Sequence, residues 1–85
     1  MPKEEVGKVK HFYNKISVAV IELSAPLKVG DTISIEGHEK AVEQAVDSMQ
    51  VEHEQVQEAK KGQAIGMKIN EAVKEGDVVY KVTPE

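Results

Sequence analysis

Leu27-Lys28-Val29-Gly30-Asp31-Thr32-Ile33 recurs as Val73-Lys74-Glu75-Gly76-Asp77-Val78-Val79, and more loosely as Ala59-Lys60-Lys61-Gly62-Gln63-Ala64-Ile65. Each copy reads apolar, lysine, any residue, glycine, polar, any residue, β-branched. A glycine adopts backbone conformations that cost other residues, and a polar residue after it suits a turn. The pattern therefore predicts a turn that delivers the chain into a strand, with Gly30, Asp31, Gly62, Gly76 and Asp77 as its structural residues. The copies are unequally spaced, so they do not form a solenoid repeat. They are one turn solution used three times.

Working outward from these turns, the remaining apolar runs are short and β-like. Val6 to Tyr13 mixes apolar residues with lysines, and Val9, His11 and Tyr13 alternate onto one face. Asn14-Lys15 is read as a tight connection into Ile16 to Leu23, a run apolar enough to be buried on both faces for part of its length. Ser24-Ala25-Pro26 breaks that run. Thr32 to Glu36 places Ile33 and Ile35 inward, and Gly37-His38 turns the chain. Ala64 to Asn70 and Asp77 to Val82 are the closing strands.

The middle of the chain is ambiguous. Val42, Ala45, Val46, Met49, His53 and Val56 fall at helical spacing among good helix formers, so local signals favour a helix over 39–60. The β alternative uses Ala41 to Val51 as a bent strand followed by a loop.

Eighty-five residues make one domain, read here as a flexible stretch over 1–5 and a folded body over 6–83. A chain of this size buries only about 60% of the surface it exposes when unfolded, so its core is thin. There is no cysteine to reinforce it. No apolar run approaches the ~20 residues of a membrane span, and a soluble cytoplasmic protein is expected. Net charge is −4, with eleven lysines and no arginine. Arginine-rich basic faces typify nucleic-acid binders, so the bulk electrostatics disfavour that class.

Ser48 to Gly66, together with the turns at Leu27–Asp31 and Lys74–Val79, resembles the second domain of elongation factor Tu-like translation GTPases, in order and separation. The resemblance implies an all-β fold, a small closed antiparallel β-barrel, and decides the middle segment in favour of strand and loop. Closure would remove exposed strand edges. The chain is also similar to the C-terminal barrel of collagenase-like peptidase family proteins. No Gly-x-x-x-x-Gly-Lys-Ser/Thr loop occurs, so GTP is not expected as a ligand.

In the translation factors this domain holds the aminoacylated end of transfer RNA. The positions implied by the resemblance are Gly7, Lys8, Gln50 and Ala64, none of which carries the acidic or asparagine group needed, so that pocket is expected to be degenerate. Phe12 and Tyr13, flanked by Lys8, Lys10 and Lys15, form the one aromatic-plus-basic cluster. It is a candidate RNA or partner contact, against the plainer reading that an aromatic ring fills the core. His11, His38 and His53 are the strongest metal or acid–base candidates. Glu52-His53-Glu54, read as strand, points its members to opposite faces, and no metal, cofactor or catalytic residue is expected.

The leading functional expectation is a non-catalytic binding module of the translation-factor type, with a protein or ribonucleoprotein partner and no membrane. The alternatives are an accessory domain of a separate collagenase-like peptidase-family enzyme, and a weak RNA binder using the lysine and aromatic cluster.

Overall fold

The computed structural model describes residues 3–37 and 41–82, and they form an all-β domain. Its strands are β1 (Lys3–Tyr13), β2 (Val18–Leu23), β3 (Leu27–Lys28), β4 (Thr32–Glu36) and β5 (Ala41–Ala45), followed by β6 (Met49–Val51), β7 (Glu54–Val56), β8 (Glu58–Ala59), β9 (Ala64–Lys68) and β10 (Val78–Val82). Eight of them make one antiparallel sheet in the order β5-β4-β10-β1-β2-β9-β6-β7, and β3 pairs with β8 as a separate ribbon. Laid flat, eight strands would span about 34 Å at the usual ~4.8 Å spacing and form a thin slab. The principal extents are 33 × 27 × 20 Å, so the sheet curls around its core.

The three glycine motifs are the same object in three dimensions. In each, the lysine carbonyl accepts from the N–H three residues on, at 3.1 Å for Asp31 to Lys28, 3.1 Å for Gln63 to Lys60 and 3.2 Å for Asp77 to Lys74. The glycine between them has φ of 99°, 89° and 92° for Gly30, Gly62 and Gly76, which makes each a type II turn. The polar residue closes the turn a second time, because its side chain accepts from the lysine N–H. Asp31 Oδ2 does so at 2.9 Å, Gln63 Oε1 at 2.8 Å and Asp77 Oδ2 at 3.0 Å. Aspartate and glutamine thus fill one role with the same acceptor atom type.

Each turn also grips a residue of another strand by two reciprocal backbone bonds. The Gly30 N–H donates to the Val46 carbonyl at 2.9 Å, and the Val46 N–H donates to the Asp31 carbonyl at 2.8 Å. Gly62 and Gln63 hold Leu23 in the same way at 2.9 and 2.9 Å, and Gly76 and Asp77 hold Val9 at 2.8 and 2.8 Å. The strand launched by the turn then pairs with the strand leading to the gripped residue: Thr32 faces Ala45, Ala64 faces Glu22, and Val78 faces Lys8. A one-residue slip would turn every side chain of a strand to the wrong face, so the turn fixes what the pleat requires.

The core contains seventeen aliphatic side chains among the described residues, and no aromatic one. Nine of them belong to the three turn devices: Leu27, Ile33 and Val46; Ala59, Ile65 and Leu23; Val73, Val79 and Val9. Met49 and Met67 fill the space between, both 1% exposed.

Several expectations are corrected. There is no helix over 41–60; Val42 and Val46 are buried and Gln44 is half-buried, while Ala41, Glu43 and Ala45 are exposed. That is a period of two, and Ala45, which the helical spacing placed inward, points out. The segment is not one bent strand either, since β5 and β6 pair with different neighbours and the expected loop contains β7 and β8. Barrel closure by strand pairing is absent among the described residues, where β5 and β7 are the sheet's two ends. β9 is already flanked by β2 and β6, so β5 reaches it only through a side chain, past the end of its pairing with β6. Gln44 Nε2 donates to the Lys68 carbonyl at 3.0 Å, and Gln44 Oε1 accepts from the Asn70 N–H at 2.8 Å. The first strand begins at Lys3 rather than Val6, with Lys3, Glu4 and Glu5 paired to β10.

Two substitutions separate the parts of the turn. Asp77→Ala removes an acceptor and should cost about 1 kcal/mol in urea unfolding, whereas Asp77→Asn keeps one and should be nearly neutral. Gly76→Ala meets no atom within 4 Å. It should nonetheless cost roughly 1–2 kcal/mol, because the left-handed backbone alone disfavours a Cβ. Equal effects of Asp77→Ala and Asp77→Asn would contradict this account of the turn.

Candidate functional site

The outer face of β1, β2, β9 and β6 gathers most of the residues singled out from the sequence. A β-bulge between Val9 and His11 decides how they sit. Val9 and Phe12 are both turned toward the core, so the two residues between them, Lys10 and His11, are both exposed. The expected face of Val9, His11 and Tyr13 is therefore split: Val9 is buried, while His11 and Tyr13 lie outside. Phe12 packs against the core and takes no part in a surface cluster.

The outer face can be read as rows across the strands. Tyr13 pairs with Val18 and Val18 with Lys68; His11 pairs with Val20, Val20 with Gly66 and Gly66 with Gln50; Lys8 pairs with Glu22 and Glu22 with Ala64. Ala19 and Ile21 are buried, which leaves Val18 and Val20 half-covered on the opposite face. Gly66 adds no side chain between them and Gln50. The segment 14–17 is a four-residue hairpin loop, so Ile16 is not the first residue of the strand as its place in an apolar run suggested. Ser17 has φ of 56°, and its carbonyl accepts from the Ile69 N–H at 2.8 Å. This anchor holds the loop while Ile16 is 61% exposed beside Tyr13 at 49%. An open cleft lies among His11, Phe12, Tyr13, Asn14, Lys15 and Ile16.

Electrostatics around this face are those of an exposed rim. The His11 and Tyr13 rings meet edge to face at 4.3 Å, and His11 Nδ1 lies 3.0 Å from Glu75 Oε2. Lys10 Nζ is 3.8 Å from Glu22 Oε1, a separation that contributes little in water. The residues implied as a family pocket do fall in neighbouring rows, with Glu22 between Lys8 and Ala64 and with Gln50 exposed. Gly7, however, is buried, and a Cβ there would sit 2.5 Å from the Glu22 carbonyl oxygen. Its glycine is required by backbone approach, so no side chain could serve a ligand from that position.

Tyr80 lies half-covered, with the Lys3 ammonium 4.7 Å from its ring centre. Lys3 Nζ also binds Glu36 Oε2 at 2.6 Å. This hydrogen bond holds the Lys3 ammonium above and the Glu36 carboxyl below their ordinary pKa ranges. Among the described residues, no group of three or more histidine or carboxylate side chains could hold a metal. His38 lies outside the described residues. His53 is not in a strand: Val51 pairs with Glu54, and Glu52 and His53 form the two-residue hairpin turn between them. Their φ values of 53° and 68° are those of a type I′ turn, normally occupied by asparagine and glycine.

No protein-family model matches the chain. It is 53% identical over 79 residues to an uncharacterized protease of Methanocaldococcus jannaschii, covering 92% of this chain and 19% of that protein. It is 35% identical over 81 residues to a collagenase of Porphyromonas gingivalis, covering 93% of this chain and 22% of that one. The chain thus spans about a fifth of the length of the curated relatives it matches. Its fold matches crystal structures of the C-terminal domain of a Geobacillus thermoleovorans protein assigned to the U32 peptidases. One has a TM-score of 0.88 at 17% identity, covering 94% of this chain and 93% of that one; its selenomethionine variant has 0.85 at 16%, covering 89% and 96%.

These relatives overturn the translation-factor reading and support the second resemblance, to collagenase-like proteins. The error has a physical source. The glycine turns that carried the likeness to elongation factor Tu register antiparallel strands, and any small β domain can use such a turn whatever its ligand.

Because Glu52 and His53 hold left-handed conformations that cost non-glycine residues, Glu52→Asn/His53→Gly should raise unfolding stability by about 1–2 kcal/mol. An unchanged urea midpoint would show that the turn is not strained.

Proposed function

We propose that this chain is a non-catalytic accessory domain of a collagenase-like peptidase, acting with a peptidase body supplied by a separate subunit. The observation that carries the reading is the 53% identity to an archaeal protease over 92% of this chain, although the match is confined to 19% of that protease. Such a match leaves four-fifths of the relative to supply the reacting groups. The fold shared with a U32 peptidase C-terminal domain supports the same division of labour. So does the outer sheet face, which offers exposed apolar and basic groups suited to contact rather than a set of side chains converging on a reacting bond.

The test is affinity capture of the tagged chain in extract of its own source cells, with gelatin hydrolysis measured on the chain alone and on the captured complex. The expected outcome is a collagenase-like peptidase subunit in the captured material, gelatin cleavage by the complex and none by the chain alone. Cleavage by the purified chain, or capture of ribosomal components with no peptidase, would overturn the reading.

A further inference from the structure

We infer that the peptidase body docks on the outer face of β1, β2 and β9 at its hairpin end, with Tyr13 and Ile16 as anchors. The proposal rests on the accessory-domain reading and names the surface through which it operates. Among the described residues, the large apolar side chains left exposed are Tyr13 and Ile16, at 49% and 61%. They fall in one loop and its closing pair, above the half-covered Val18 and Val20. Isolated exposed apolar residues are ordinary, but a cluster of them ringed by polar residues marks an interaction surface. Tyrosine and aliphatic anchors inside a polar rim are the usual anatomy of a protein interface.

The surroundings specify the partner. Lys10, Lys15 and Lys68 fringe the patch and Lys8 stands one row beyond, all exposed. Of the nearby carboxylates, Glu22 faces Lys8 in register and lies close to Lys10, while Glu75 is engaged by His11. A locally basic rim on a chain of net charge −4 fits an apolar protein surface bordered by aspartate and glutamate. Nucleic acid fits less well. Ile16, Val18 and Val20 give it nothing to stack on, Phe12 is withdrawn against the core, and the chain has no arginine.

The area that a stable interface needs points the same way. A stable interface takes about 800 Å² from each partner, roughly a seventh of this domain's 5586 Å² surface. A stable contact with a separate peptidase body would cover one face of that order. The hairpin end of the outer sheet is the face whose exposed side chains gain most from being covered. Ser17 contributes by holding the loop: its left-handed backbone and its bond from Ile69 fix the direction in which Ile16 projects.

The experiment is hydroxyl-radical footprinting of the chain alone and in the complex captured with its peptidase. Labelling of Tyr13 and Ile16 should fall at least fivefold in the complex, with Tyr80 unchanged as an internal control. Ile16→Glu and Lys15→Glu should each weaken capture about tenfold, and both sites are exposed, so the thermal midpoint of the free chain should not move. Undiminished labelling of Tyr13 and Ile16, with protection on another face, would overturn the docking face and leave the accessory role standing. Protection of Tyr13 by an oligouridylate probe but not by the peptidase would assign the face to nucleic acid instead. Labelling that falls as the free chain is concentrated would assign it to a second copy. Failure to capture any peptidase removes the accessory reading and this face's role together.

Discussion

The structure depends on the pair of reciprocal backbone bonds by which each glycine turn holds one residue of a neighbouring strand. A type II turn leaves its glycine N–H pointing away from the turn. Here that group is spent on the carbonyl of Val46, Leu23 or Val9, whose own N–H returns to the carbonyl after the glycine. The bonds start three antiparallel pairings in the same register. Short loops at 14–17 and 52–53 fix two more, β1 with β2 and β6 with β7. Five of the seven pairings in the large sheet are thereby set by these turns and loops. This matters for a thin aliphatic core, because a core without aromatic rings has little shape with which to reject a slipped strand.

The same device explains why the outer face is available for contact. The turns bring their buried residues to the inner side, so alternation leaves Val18, Val20, His11 and Tyr13 outward without a covering layer. The bulge at Lys10 enriches that face further by exposing two consecutive residues. Packing and the exposed groups proposed for docking are thus divided between the two sides of one curled sheet. The inner side carries the fold, and the outer side carries the chemistry that a partner would read.

How much of this was legible in the sequence follows from where the information lies. The turns were, because glycine at a positive φ and a polar acceptor after it leave a mark on residue type. The flanking strands followed, but the all-β class as a whole rested on resemblance, because the middle segment was not legible: Val42 and Val46 satisfy both a helical and a strand period, and only Gln44 and Ala45 tell them apart in three dimensions. The bulge at Lys10 left no mark, since lysine and histidine there suit either face, and it reversed the side on which Val9 lies. Ile16 was hidden by its neighbours, because an isoleucine heading an apolar run reads as strand rather than as an exposed loop tip. Gly7 was misread for the opposite reason. Its role is the close approach of the Glu22 carbonyl, a constraint set by a residue fifteen positions away.

The measurement that tests the account most directly is amide hydrogen exchange at Gly30, Gly62 and Gly76. All three are exposed and sit in turns, where amides ordinarily exchange fast. If the reciprocal bonds hold the sheet, these three amides should be as strongly protected as those of Val9, Leu23 and Val46. Exchange at the rate of free turn amides, with the strand amides still protected, would contradict it.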